Sequence, residues 1–161
     1  ELKETLYKLS NKFNLTVFHQ AGKENFKNLE LFYEKNRISF QLFDFEYSLD
    51  DIFKKVDFCI TRAGASTLAE LVFFNVPFLA VPFPFSKDNH QLYNARFYEK
   101  HNCCWIIEQK DISKETFYET ISNIINDKKG IEIKKRAMID LSKKNSWENN
   151  NKLIIKTINE N

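Results

Sequence analysis

Residues 57–82, DFCITRAGASTLAELVFFNVPFLAVP, decide the fold. DFCIT (57–61) is a short apolar run, the segment near 66–75 carries apolar residues at helical spacing, and PFLAVP (77–82) is apolar again. Strand, helix and strand in that order, with both strands apolar on two sides, predict a parallel β-α-β unit. The same alternation extends outward. Upstream lie a helix carrying Leu2, Leu6, Leu9 and Phe13, a strand at 15–20, a helix near 25–36, a strand at 37–43 and a helix near 48–56. Downstream lie a helix at 89–102, a strand at 103–108, and closing helices at 113–126 (entered at Ser113), 131–144 and 146–159. The whole predicts an α/β, Rossmann-like parallel sheet with helices on both faces.

The chain has 161 residues, 43% hydrophobic and 29% charged, which suits one packed domain over 1–161. A net charge of +2, with both signs dispersed, leaves no one-sided basic face for a phosphate backbone, so nucleic acid is not an expected partner. No apolar run approaches the roughly 20 residues needed to cross a bilayer, and ELKETLYKLS at the start lacks a signal peptide's apolar core. Three cysteines, Cys59, Cys103 and Cys104, fit free thiols in a reducing cytoplasm. His101 with Cys103 and Cys104 matches no usual zinc spacing, so no metal is expected. Asp50 and Asp51 read as an acidic first turn rather than a catalytic pair.

An open parallel sheet binds ligands at the carboxyl ends of its strands. Four loops therefore matter: 20–25, 44–48, 61–67 and 82–91. In the third, Gly64, Ala65, Ser66 and Thr67 sit where a helix begins, and a helix's free first-turn amides favour an anion. Two plainer readings stand beside this one. Thr67 and Glu70 have the spacing of a capping box, and small residues also let a helix pack closely on a strand. In the fourth, two prolines stiffen the loop, and His90, Gln91 and Asn94 occupy the first turns of the next helix, with side chains able to donate and accept hydrogen bonds. The plain alternative is an N-cap at Asp88 or Asn89 with solvated neighbours.

The order of these segments, HQAGK, then DFEYSLDDIFKKVDFCITRAGASTLAEL, then VPFLAVPFPFSKDNHQLYNA, then a strand ending IIEQ, resembles the donor-binding domain of the MurG family over residues 1–110. The resemblance implies the C-terminal half of a GT-B glycosyltransferase, which transfers N-acetylglucosamine from UDP-N-acetylglucosamine to a lipid-linked cell-wall precursor. It implies that Phe45 and Glu46 meet the uracil through their backbone, although Glu46 replaces an apolar residue. Ala65, Ser66 and Thr67 would line the diphosphate and sugar, and Glu70 would accept from the ribose hydroxyls. Gln91 would contact the sugar hydroxyls beside His90, and Gln20 and Gly22 match a QSG-like turn with Ala21 in place of the hydroxyl residue. The resemblance requires no metal ion or cofactor.

The resemblance also implies parts beyond this sequence. These are a first strand with a glycine-rich loop, and an N-terminal domain supplying the base and the lipid-acceptor site. The chain alone is expected to be inactive, and the whole enzyme is expected at the cytoplasmic face of the membrane. Two other readings stay open: a separate donor subunit of a two-subunit N-acetylglucosamine transferase, and a non-catalytic nucleotide-binding domain.

Overall fold

The computed structural model describes residues 1–44 and 49–144. In chain order the elements are α1 (Leu2–Ser10), β1 (Thr16–Gln20), α2 (Phe26–Lys35), β2 (Ser39–Phe43), α3 (Asp50–Phe53), β3 (Cys59–Thr61) and α4 (Ala65–Phe73). They continue with β4 (Phe78–Ala80), α5 (His90–Lys100), β5 (Cys104–Ile106), α6 (Lys114–Asn126) and α7 (Lys128–Lys144). The helix expected at 146–159 and the segment 45–48 lie outside the described residues.

The chain divides into two compact units, Glu1–Val56 with Lys110–Asp127, and Asp57–Gln109 with the segment beginning at Lys128. In the first, β1 and β2 pair in parallel, Thr16 opposite Ser39 through Gln20 opposite Phe43. Leu6, Leu29, Tyr33 and Ile38 form its core, with Val17, Phe40 and Leu42 packed against them. His19 on β1 shares a 2.7 Å hydrogen bond with the fully buried Tyr33, which gives the phenol a polar partner inside an apolar cluster. Lys114 of α6 reaches Glu4 of α1 at 2.7 Å. Ser113 opens α6 with a reciprocal capping box, its hydroxyl accepting from Thr116 N while Thr116 Oγ1 accepts from Ser113 N.

In the second unit β4 lies between β3 and β5, and both pairings are parallel. Phe78, Leu79 and Ala80 are fully buried, as a central strand covered on two faces requires. The ladders therefore differ in one respect from the expected single sheet: β1-β2 and β3-β4-β5 are separate among the described residues.

Helix ends explain how a chain with three glycines makes such abrupt turns from helix into strand. Arg37, Asn75 and Asn102 adopt left-handed φ values of 54°, 61° and 58° just past α2, α4 and α5. At each, the next residue's N–H reaches back to the carbonyl five residues earlier: Ile38 to Tyr33, Val76 to Leu71 and Cys103 to Tyr98. These are Schellman turns, with asparagine at two sites doing what glycine usually does.

Candidate functional site

The second unit gathers most of the residues singled out in the sequence. β3 ends at Thr61, and the chain then runs through Arg62, buried Ala63 and Gly64 into α4. Gly64 is the N-cap residue, extended at φ −68° and ψ 137°, and among the described residues no side chain caps the helix. Leu68 N–H is the first amide to close a turn, onto Gly64 O at 3.0 Å. The amides of Ala65, Ser66 and Thr67 thus lie in the uncapped first turn, where partial positive charge collects.

Gly64 itself is informative. Its φ is one that any residue adopts, and among the described residues an added Cβ would meet only Thr67 Oγ1, at 3.8 Å. Neither backbone strain nor internal packing calls for glycine here. Among the described residues, what the missing side chain provides is open surface beside the helix N-terminus.

The capping-box reading of Thr67 and Glu70 is corrected by the structure. The helix begins at Ala65, so Thr67 is already inside it and Glu70 stands in the second turn, exposed. A residue at that depth has no free N-cap amide to accept. Glu70 O accepts from Phe74 N–H at 2.8 Å within the helix, and among the described residues no hydrogen bond or ion pair engages its carboxylate, which lies on the exposed α4 surface.

The loop after β4 folds onto the same place. Gln91 Oε1 accepts from Ala63 N–H at 3.1 Å and from Phe83 N–H at 3.0 Å, and Asn94 Nδ2 donates to Ala63 O at 3.1 Å. Gln91 and Asn94 are three residues apart, hence on one face of α5. The expected N-cap before α5 falls on Asn89, but it works differently from the expectation. Asn89 makes no side-chain cap, and Asp88 and Asn89 are consecutive left-handed residues at φ 50° and 53°. His90 Nδ1 bonds to Lys87 O at 2.8 Å, which closes this turn and leaves the other ring nitrogen outward on an exposed residue.

Gly64, Ala65, Ser66, Thr67, Gln91 and Asn94 are therefore brought together, with Glu70 one helical turn along α4 and His90 beside Gln91. Phe45 and Glu46 lie outside the described residues, and Gln20 and Gly22 belong to the first unit. Sequence reasoning missed Arg62. Its Nη1 donates to Val81 O at 3.3 Å and its guanidinium stands 5.5 Å from the Phe83 ring, so it joins the two loops and places a fixed positive charge beside them. Its position inside TRAGAS, the residue after a strand, was the available clue.

Among the described residues no His, Cys, Asp or Glu cluster is arranged to hold a metal, and no helix is long and apolar enough to cross a membrane. The three cysteines are free thiols; burial pushes Cys59 and Cys104 up to about 12 and Cys103 up to about 11.

A parallel-stranded unit with an uncapped helix N-terminus, a glycine opening onto it, and polar loops at the strands' carboxyl ends has the form of a nucleotide-binding α/β domain. Residues 2–152 match the glycosyltransferase family 28 C-terminal domain, and the chain belongs to that family. It is 41% identical over 160 residues, 99% of this chain and 45% of the relative, to the UDP-N-acetylglucosamine--N-acetylmuramyl-(pentapeptide) pyrophosphoryl-undecaprenol N-acetylglucosamine transferase of Pelagibacter ubique (strain HTCC1062). The protein of the same name from Campylobacter jejuni (strain RM1221) is 36% identical over 108 residues, 67% of this chain and 32% of that one. The crystal structure of Acinetobacter baumannii MurG superposes with a TM-score of 0.75 and 25% identity, covering 86% of this chain and 40% of that chain. The chain thus spans less than half the length of these relatives.

Proposed function

We propose that this chain is the donor-binding part of an inverting glycosyltransferase that moves N-acetylglucosamine from UDP-N-acetylglucosamine to lipid I, forming lipid II in peptidoglycan synthesis. The observation that carries the reading is the opening at Gly64 onto the uncapped first turn of α4, in a chain of this family. Amides there suit a diphosphate and, more importantly, the charge that develops on UDP as it leaves. In this reading Ala65, Ser66 and Thr67 hold the diphosphate, Glu70 the ribose diol, and His90, Gln91 and Asn94 the sugar side. Phe45 and Glu46 are assigned to the uracil.

Inversion follows from in-line attack by the acceptor hydroxyl on the anomeric carbon. A general base on an acceptor-binding domain beyond this chain takes the proton. That domain also carries the lipid-linked acceptor and sets the enzyme at the cytoplasmic face of the membrane, so this chain by itself is inactive.

Glu70 gives the test. A carboxylate accepts two hydrogen bonds and donates none, which suits a vicinal diol, and an exposed Glu70 outside the cap has no structural duty to lose. Glu70→Gln is expected to leave the melting temperature unchanged and to weaken UDP by about 1.5–3 kcal/mol, roughly ten- to a hundredfold in dissociation constant. Calorimetric titration of UDP into both proteins decides it, and equal affinities would remove Glu70 from the site.

A further inference from the structure

Gln91 and Asn94 carry polar side chains at the candidate site, yet in this structure each already has a partner, and the partners are backbone. Gln91 Oε1 uses its two acceptor positions on the N–H groups of Ala63 and Phe83, while Asn94 Nδ2 donates to Ala63 O. The peptide groups on both sides of Ala63 are thereby pinned by one face of α5. Two pinned peptide planes fix the φ and ψ of the residue between them, and the next residue, Gly64, is the N-cap of α4. Ala63 is fully buried, so water cannot replace a partner it loses. Gln91 also ties Phe83, in the loop after β4, to the same point.

We propose that Gln91 and Asn94 are positioning residues: they clamp Ala63 and so hold the first-turn amides of α4 in the orientation that receives a nucleoside diphosphate. This rests on the reading above and deepens it, because the two side chains then act on the diphosphate, before any contact with a sugar. A residue that only touched the sugar would leave UDP, which has none, indifferent to its loss.

The experiment is calorimetric titration of UDP into wild type, Gln91→Met and Asn94→Leu, below the melting temperature of each, with amide hydrogen exchange followed at Ala63 and Phe83. The clamp requires UDP to weaken about tenfold or more in each variant, the scale of one polar group left unsatisfied at a buried site. It also requires the Ala63 and Phe83 amides to exchange faster in Gln91→Met and to regain protection in Gln91→Glu, whose carboxylate still accepts both N–H groups. Unchanged UDP affinity in Gln91→Met and Asn94→Leu overturns the proposal and leaves the donor-binding reading intact. So does unchanged exchange in Gln91→Met, or a Gln91→Glu variant that exchanges as fast as Gln91→Met. Absence of UDP binding by the wild-type protein overturns the donor-binding reading and this proposal with it.

Discussion

Replacing Gly64 by alanine adds one methyl group at the point where the second unit opens onto α4, and the structure sets the expected size of each effect. The backbone at φ −68° and ψ 137° accepts alanine without strain, and among the described residues the new methyl would find only Thr67 Oγ1, at an ordinary 3.8 Å. Reduced freedom of the unfolded chain favours alanine by about 0.4–1 kcal/mol. Alanine is a poorer N-cap than glycine, by roughly 0.5–1 kcal/mol, which offsets that gain. The net change in stability is therefore within about 0.5 kcal/mol, or a shift of roughly 2 °C or less in melting temperature for a chain of this size. Binding responds differently. In the proposed donor site a methyl at the helix mouth would displace a diphosphate from the amides of Ala65 and Ser66, and a lost hydrogen bond to a charged group is worth about 1.5–3 kcal/mol. Gly64→Ala should thus bind UDP roughly ten- to a hundredfold more weakly while melting with the wild type. Titration calorimetry at fixed salt, with scanning calorimetry alongside, measures both. Equal UDP affinity at equal stability would show that the opening serves no ligand, and the site argument built on it would fail.

Three further outcomes follow from the fold. Arg37 holds a left-handed φ of 54° with no asparagine or glycine to ease it, so Arg37→Gly should stabilise the protein by about 0.5–1 kcal/mol; a lower melting temperature would contradict the Schellman account of α2. Burial, with Lys3 adding a smaller effect, lowers the His19 pKa below its usual value near 6.5. The unfolded chain then takes up that proton first as pH falls, so stability should drop from pH 7 towards 5, and His19→Gln should flatten the drop; an identical pH profile in the variant would refute the role of His19. The three thiols, pushed up by burial, should resist a thiol reagent at pH 8 in the folded protein and react fully in denaturant, and fast labelling of the buried Cys103 or Cys104 would contradict their burial.

What could be read in advance depended on whether the cause was local in the sequence. Apolar runs such as PFLAVP announced β4 because a covered strand needs both faces apolar, and Ser113 announced α6 because a cap hydroxyl and its amide lie three residues apart. The same local rule misled at Thr67 and Glu70, where the spacing of a capping box was present but the helix had begun two residues earlier, at Ala65. Small residues after a strand make several start points sterically equal, and pattern alone does not choose among them. Gln91 was marked for its polarity, but its bonds to Ala63 and Phe83 span 28 and 8 residues, and such contacts leave no trace in spacing. The left-handed ends at Asn75 and Asn102 were legible in principle, since asparagine followed by an apolar strand is a recognisable stop.

The turn that delivers Gln91 has its own energetic logic. Asp88 and Asn89 both sit at positive φ, and even for these residue types the left-handed region is less favourable than the alternatives. Such a pair persists only where surrounding bonds over-determine it. Here they do: Asn89 N–H bonds to Ser86 O at 3.1 Å, His90 Nδ1 to Lys87 O at 2.8 Å, and Gln91 holds Phe83 N–H at the loop's other end. Pro82 and Pro84 further limit the conformations the loop could otherwise sample. A strained turn stitched at three points does not need to be ordered by a ligand, so binding energy would not be spent on freezing it. The strain thus lies in the segment that sets Gln91 against Ala63, where a preorganised loop contributes most to holding the mouth of α4 in shape.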